Sequence, residues 1–178
     1  TLELKNIMDD TTYSDSPNIR SNYTVTDKAD GDRKLLFIAP ETGKIYLINT
    51  NMSVQFTGAF TRNKELYNSL LDGEHVLYNK ERKFINLYTA FDIYYIKGEN
   101  VRMKAFIPSS KTTGDVLTNF RLPLLVNVVK QLQAESIVKN KLSATPLPSP
   151  IRIDHKTFYS DENQTIFQGC KLILQKVE

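Results

Sequence analysis

The sequence has no tryptophan, one cysteine and two histidines. A single thiol, Cys170, cannot form an internal disulfide, and with only His75 and His155 beside it the chain cannot build a zinc site of the usual Cys/His kind. Both absences fit a reducing compartment and a protein without a structural metal. No apolar run approaches the roughly 18 residues that a membrane-spanning helix needs, and no basic segment followed by an apolar core marks a signal peptide. An excess of one charge is also missing. The 23 Lys+Arg against 20 Asp+Glu leave +3, too little to imply a nucleic-acid partner by itself. The hydrophobic share of 40% excludes a disordered chain and fits one domain or part of one. Asn, Ile, Lys and Tyr, all with A/T-rich codons, are heavily used.

What is present reads mainly as strand. Residues 1–21 are polar and turn-rich and predict a lead-in loop around Pro17. Tyr23 to Thr26, Leu35 to Ile38 and Lys44 to Asn49 carry β-branched and aromatic residues, the last two joined at a Pro40-Glu41-Thr42-Gly43 turn. Asn63 to Leu71 predicts a short helix capped by Asn63. Glu74 to Tyr78 and Phe84 to Ile96 predict strands, the second buried and turned back at Lys97 to Asn100. Leu117 to Val138 is the best helix candidate, with Pro123 in its first turn. Pro146, Pro148 and Pro150 predict a rigid loop, and Ile151 to Tyr159 and Cys170 to Val177 predict further strands. The class is α+β, with antiparallel sheets and few helices.

Thr26-Asp27-Lys28-Ala29-Asp30-Gly31-Asp32-Arg33 lies between two strand-like runs. Taken alone, its Asp-Gly pair is a hairpin turn. Yet Lys28, Asp30-Gly31 and Arg33 also resemble motif I of the covalent nucleotidyltransferases, the RNA capping enzymes and ATP-dependent DNA and RNA ligases. Two companions follow in order. Leu71-Asp72-Gly73-Glu74-His75-Val76 resembles motif III, and Thr89-Ala90-Phe91-Asp92-Ile93 resembles motif IIIa. Taken singly, Asp72-Gly73-Glu74 reads as a helix cap and turn, and Phe91 as core. Three matches in the right order favour the family.

The resemblance implies a chemistry. Lys28 would attack the α-phosphorus of a nucleoside triphosphate and hold the nucleotide as a phosphoramidate. At a reference pKa of ~10.4 only about one lysine in a thousand is neutral at pH 7, so the site must favour the free amine through desolvation or nearby cations. Arg33 is one such cation, and Mg²⁺ or Mn²⁺ would be another. Asp27 and Asp32 should therefore face solvent. Arg33 and Glu74 would bind the ribose hydroxyls, Glu74 also holding the metal through a water. Phe91 would stack on the base, and Asp30 would organise the loop beside the nucleophile. Lys28 is expected in a cleft near Glu74 and Phe91.

Motifs IV and V, which bring a metal-binding carboxylate and phosphate-binding lysines, are not found after Phe91, nor is an OB-fold lid. Residues 1–178 are therefore expected to be the N-terminal part of a nucleotidyltransferase domain, a fragment of a longer chain stopping before motif IV and inactive alone. The base is not readable from the three motifs. Thr26 stands where ligases often carry glutamate, and TDKADGDRKLLFI, LDGEHV and YTAFDIYYI resemble the multifunctional mRNA capping enzymes of large DNA viruses. That resemblance implies GTP as substrate and a 5′-diphosphate RNA end as acceptor. It also implies triphosphatase, methyltransferase and OB-fold parts on the same polypeptide, and a place in the host cytoplasm, virus factory or virion, with no membrane partner. An ATP-dependent ligase and a silent nucleotidyltransferase-like binding module remain as alternatives. His75 is expected to be hydrogen-bonded on its strand rather than catalytic, His155 has no assigned role, and Cys170 should pack as a small hydrophobe. Lys80, Arg82 and Lys83 form a small basic cluster that could touch an RNA phosphate backbone, with a solvated hairpin end as the favoured reading.

Overall fold

A computed structural model of the chain describes residues 3–8, 17–21, 23–108, 114–142, 145–160 and 165–177. Residues 9–16 of the expected lead-in loop and 161–164 lie outside these. The chain divides into two units, residues 29–156 and residues 1–28 with 157–178.

In the smaller unit β1 (Thr24–Val25) pairs antiparallel with β11 (Tyr159–Ser160). Helix α3 (Ile166–Val177) packs on this pair. Arg20 lies over the Phe167 ring, and the Lys176 ammonium donates to the Tyr159 hydroxyl at 2.8 Å. A 3-10 turn at Leu4–Asn6 is tied back by Arg20, which donates to the Ile7 carbonyl.

The larger unit is built on a sheet of nine strands among the described residues. Its strands are β2 (Asp32–Ile38), β3 (Lys44–Asn49), β4 (Val54–Phe60), β5 (Ser69–Tyr78), β6 (Phe84–Ile96), β7 (Glu99–Asn100), β8 (Glu135–Lys139), β9 (Pro146–Pro148) and β10 (Arg152–His155). The order is β10-β6-β5-β2-β3-β4-β8-β9, with β7 folded back on β6. Every pairing is antiparallel except β10 with β6. A four-residue helix α1 (Val116–Asn119) precedes α2 (Arg121–Leu132). Helix α2 buries Leu124, Leu125, Val128 and Leu132, one helical stripe, against Leu36, Ile38, Leu71, Ala90 and Ile93 from the sheet. The fold class is α+β, as read from the sequence. No helix among the described residues is long and apolar enough to cross a membrane.

Several local expectations fail for identifiable reasons. The helix expected over Asn63 to Leu71 is a single 3-10 turn, Lys64–Leu66, capped by the Asn63 side chain. So short a helix is costly to nucleate. Asn68 turns left-handed at φ 57, and Ser69 to Leu71 instead pair with Ile38 to Leu36 in the middle of the sheet. The long helix expected over Leu117 to Val138 is interrupted at Phe120, which is extended. It ends at Gln133 in the left-handed region, and Glu135 to Lys139 become β8 between β4 and β9. The expected Pro146 to Pro150 loop contributes β9, an edge strand, where missing amide donors are tolerated. Strand β4 has no counterpart in the sequence reading. Cys170 to Val177 is helix, not strand: the pattern Ile166, Cys170, Ile173, Leu174, Val177 is helical once the window starts four residues earlier.

Candidate functional site

The β2–β5 register brings the first two motifs together. Arg33 stands directly opposite Glu74, Lys34 opposite Gly73 and Leu35 opposite Asp72. Residues directly opposite on antiparallel strands share a face. One face therefore carries Arg33, Glu74, Leu35 and Asp72, and the other carries Lys34, Gly73, Asp32 and His75. The next strand extends both faces, with Thr89 opposite Glu74 and the buried Ala90 opposite Gly73.

Two glycines make this closeness possible. The Gly31 N–H donates to Glu74 Oε1 at 3.1 Å, tying the turn of the first motif to the carboxylate of the second. A β-carbon on Gly31 would lie 2.6 Å from the His75 carbonyl oxygen. On Gly73 it would lie 2.5 Å from the Tyr88 ring and 2.7 Å from the Thr89 carbonyl oxygen. Tyr88 is fully buried and donates its hydroxyl to the Lys34 and Leu71 carbonyls, so it cannot yield. Its burial also pushes the phenol pKa well up.

Arg33 is held by a carboxylate to which the sequence reading gave no role. Its Nε and Nη2 donate to the two oxygens of Asp72 at 3.1 and 2.6 Å. The Tyr94 hydroxyl donates to the same carboxylate at 2.6 Å. Asp72 is 1% exposed and the Arg33 side chain 59%, so the pair has a buried base and a solvent-facing cation. Hydrogen bonding and charge from Asp72 raise the Arg33 pKa still further above the ordinary range. Burial, and then the bond to Asp72, raise that of Tyr94. Beside this cluster lies a cavity of about 200 Å³ with Leu35, Ile48 and Met52 among its lining and Arg33, Asn49 and Tyr94 at its polar side. Asp72 could have been noticed in the sequence: it lies two residues from Glu74 on a strand, hence on the same face. Tyr94 carried no such signal, because β6 slips register twice before it.

Phe91 sits at one of these slips. Ala90 faces Gly73 and Asp92 faces Asp72, so two steps on β6 match one on β5. Such bulges re-aim side chains. Alternation with the buried Ala90 turns Phe91, half-buried, toward the Arg33 and Glu74 face. Asp92 is held by Arg121 at the start of α2, at 2.8 and 3.2 Å.

On the opposite face His75 is 6% exposed. The Lys34 ammonium lies 2.9 Å from Nδ1 and Asn86 Oδ1 lies 2.7 Å from Nε2. A lysine can only donate, so Nδ1 accepts and the neutral ring donates from Nε2 to Asn86. Asn86 in turn donates to the Pro150 carbonyl at 2.6 Å. Burial lowers the His75 pKa, with Lys34 acting in the same direction. His75 is thus a hydrogen-bonded strand residue.

The remaining expected residues are placed as follows. Asp30 and Asp32 are exposed, Asp30 in the loop before β2. Lys28 and Asp27 are exposed at the end of the smaller unit. No cluster of three or more His, Cys, Asp or Glu that could hold a metal occurs among the described residues. Among the described residues Glu74 is the carboxylate on the Arg33 face that is not held in an ion pair, with Gly31 bound to Oε1. A lone carboxylate suits an ion such as Mg²⁺, which keeps most of its waters and takes its other ligands from phosphates.

Comparison with known proteins supplies a family. The model for the mRNA capping enzyme catalytic domain matches residues 19–169. A probable mRNA-capping enzyme of Acanthamoeba polyphaga mimivirus is 30% identical over 159 residues, which cover 89% of this chain and 12% of that protein.

Proposed function

Because the chain belongs to the mRNA capping enzyme catalytic domain family, we propose that it carries the nucleophile and the ribose-binding side of a GTP–RNA guanylyltransferase centre. The observation that supports this best is the Arg33–Glu74 pair. A guanidinium fixed from behind by Asp72 and a carboxylate fixed by Gly31 stand side by side on one face of the sheet. One donates and the other accepts, which suits vicinal hydroxyls of a ribose.

The nitrogen lone pair of Lys28 attacks the α-phosphorus of GTP. A P–N bond forms, the bond from the α-phosphorus to the bridging oxygen breaks, pyrophosphate leaves, and the amine loses a proton to water. In the second half an oxygen of a 5′-diphosphate RNA end attacks the same phosphorus. The P–N bond breaks and the amine regains its proton. Arg33 and Glu74 hold the ribose so that the phosphorus stays in line with its nucleophile. Phe91 stacks on the purine, and Asp30 orders the loop that follows Lys28. Glu74 is the residue that would hold Mg²⁺ or Mn²⁺, through a water, and the ion would supply neutralisation of phosphate charge.

The test uses the full-length protein that contains this chain, with Mg²⁺ and α-labelled GTP or ATP. A guanylate mapped to Lys28, lost in Lys28→Ala, is expected. An adenylate on Lys28 moves the protein to the ligases. No adduct with either nucleotide refutes covalent catalysis and leaves a silent binding module.

A further inference from the structure

The β5–β6 hairpin runs past the candidate site to a tip that none of these roles uses. We propose that this tip is a docking site for single-stranded RNA, the acceptor strand of the reaction proposed above, on which this inference rests. Tyr78 and Phe84 face each other across the two strands, with ring centroids 5.7 Å apart at 66°. They are 58% and 59% exposed, and Leu77 beside them is 41% exposed. Two largely exposed aromatic rings at one place offer a surface on which a base of any sequence stacks.

The turn between them presents charge from a fixed frame. Asn79 Oδ1 accepts the backbone N–H groups of Glu81 and Lys83 at 3.1 and 2.9 Å. The Asn79 and Lys83 backbones close the turn at 3.0 Å, and the Arg82 N–H donates to the Asn79 carbonyl at 2.9 Å, with Arg82 left-handed at φ 60. Lys80, Arg82 and Lys83 are exposed on this frame against a single carboxylate, Glu81. Cations that contact phosphates beside aromatics that stack bases are the pairing by which proteins hold a single strand. The positive excess selects a polyanion over an apolar protein segment.

Distance supports the same occupant. Tyr78 lies four residues beyond Glu74 on β5, about 13 Å along a strand at ~3.3 Å per residue. An RNA whose 5′ end lies beside Glu74 covers that distance with its first few nucleotides. The basic cluster reads from sequence first as a solvated turn and second as a contact for RNA phosphates; the aromatic pair the fold sets beside it favours the second.

The experiment measures anisotropy of a fluorescent 5′-diphosphate oligoribonucleotide on the full-length protein across a salt series. Two variants are compared, Lys80→Gln/Arg82→Gln/Lys83→Gln and Tyr78→Ser/Phe84→Ser, each first shown to melt as wild type. Loss of three phosphate contacts should reduce the slope of log K against log salt by about 2, at ~0.7 per contact for single strands. Loss of the stacking faces should weaken binding roughly five- to a hundredfold with the slope unchanged. Guanylate formation on Lys28 should remain normal in both. Unchanged affinity and slope in both variants overturn the docking site, whatever the adduct assay gives. RNA binding that depends on the tip, in a protein that forms no adduct, refutes the guanylyltransferase reading and leaves the tip as an RNA site.

Discussion

The Arg33–Asp72 pair makes a prediction opposite to the intuition that exposed residues are cheap to replace. Arg33→Ala removes a side chain that is 59% exposed, but it leaves a carboxylate that is 1% exposed with the Tyr94 hydroxyl as its one remaining hydrogen-bond donor among the described residues. Stripping one partner from a buried ion pair costs roughly 3–5 kcal/mol. Water entering the neighbouring cavity reduces that here to about 2–4 kcal/mol. Asp72→Asn keeps the volume and leaves a cation that can turn to solvent. It loses charge-assisted hydrogen bonds and costs about 1–2 kcal/mol. The double variant Arg33→Ala/Asp72→Asn buries a neutral amide rather than an unpaired charge, so the second change should partly rescue the first. Thermal and urea melts by circular dichroism read the cycle, and at ~2–4 °C per kcal/mol for a chain of this size the differences are measurable. If Arg33→Ala melts within ~1 °C of wild type, or if the double variant is the least stable of the four, the buried-carboxylate reasoning is wrong.

Three further outcomes follow from the same geometry. His75 has a pKa below the ordinary 6.5, because burial disfavours its charge, so below that pH the unfolded chain binds more protons than the folded one. Stability is therefore full above about pH 6.5 and falls as pH drops from there through the folded value. In His75→Gln the pH dependence of the melting temperature between 8 and 5 should be shallower, and an equal slope would discard the idea. Gly31→Ala places a methyl 2.6 Å from the His75 carbonyl. It should displace the loop from Glu74, weaken nucleotide binding about tenfold or more and leave the melting temperature within a few degrees. Gly73→Ala, aimed at the immovable Tyr88, should instead destabilise by about 1–3 kcal/mol, readable as a lower urea midpoint.

The strands that hold the site were legible where their patterns were long. Lys44 to Asn49 and Phe84 to Ile96 form with the expected boundaries, because a period of two over six or more residues has few other solutions. Short apolar runs did not declare themselves. Leu70-Leu71 became strand because neighbours on both sides offered hydrogen bonds, and Lys171 to Leu174 became helix because its periodicity begins at Ile166. The motif residues Arg33, Glu74 and Phe91 were named from sequence. The contact that aims Arg33 was not, since Arg33 and Asp72 are 39 residues apart and meet only through the β2–β5 register, and Tyr94 joins them only beyond a register slip in β6.

The amino-acid sequence by itself determined the chemistry on offer: a lysine followed by Asp-Gly and arginine, a carboxylate after Asp-Gly, and an aromatic in a buried strand, in the family's order. It also determined the α+β class, because alternation and helical spacing are local properties of the chain. Only the tertiary structure decided which of these groups stand opposite one another, which carboxylate is buried beneath the guanidinium, and which aromatics are left bare at the hairpin tip. The physical reason is that register, bulges and burial arise from pairing between strands distant in sequence. A single residue of slip exchanges the two faces of a strand while leaving its local pattern unchanged.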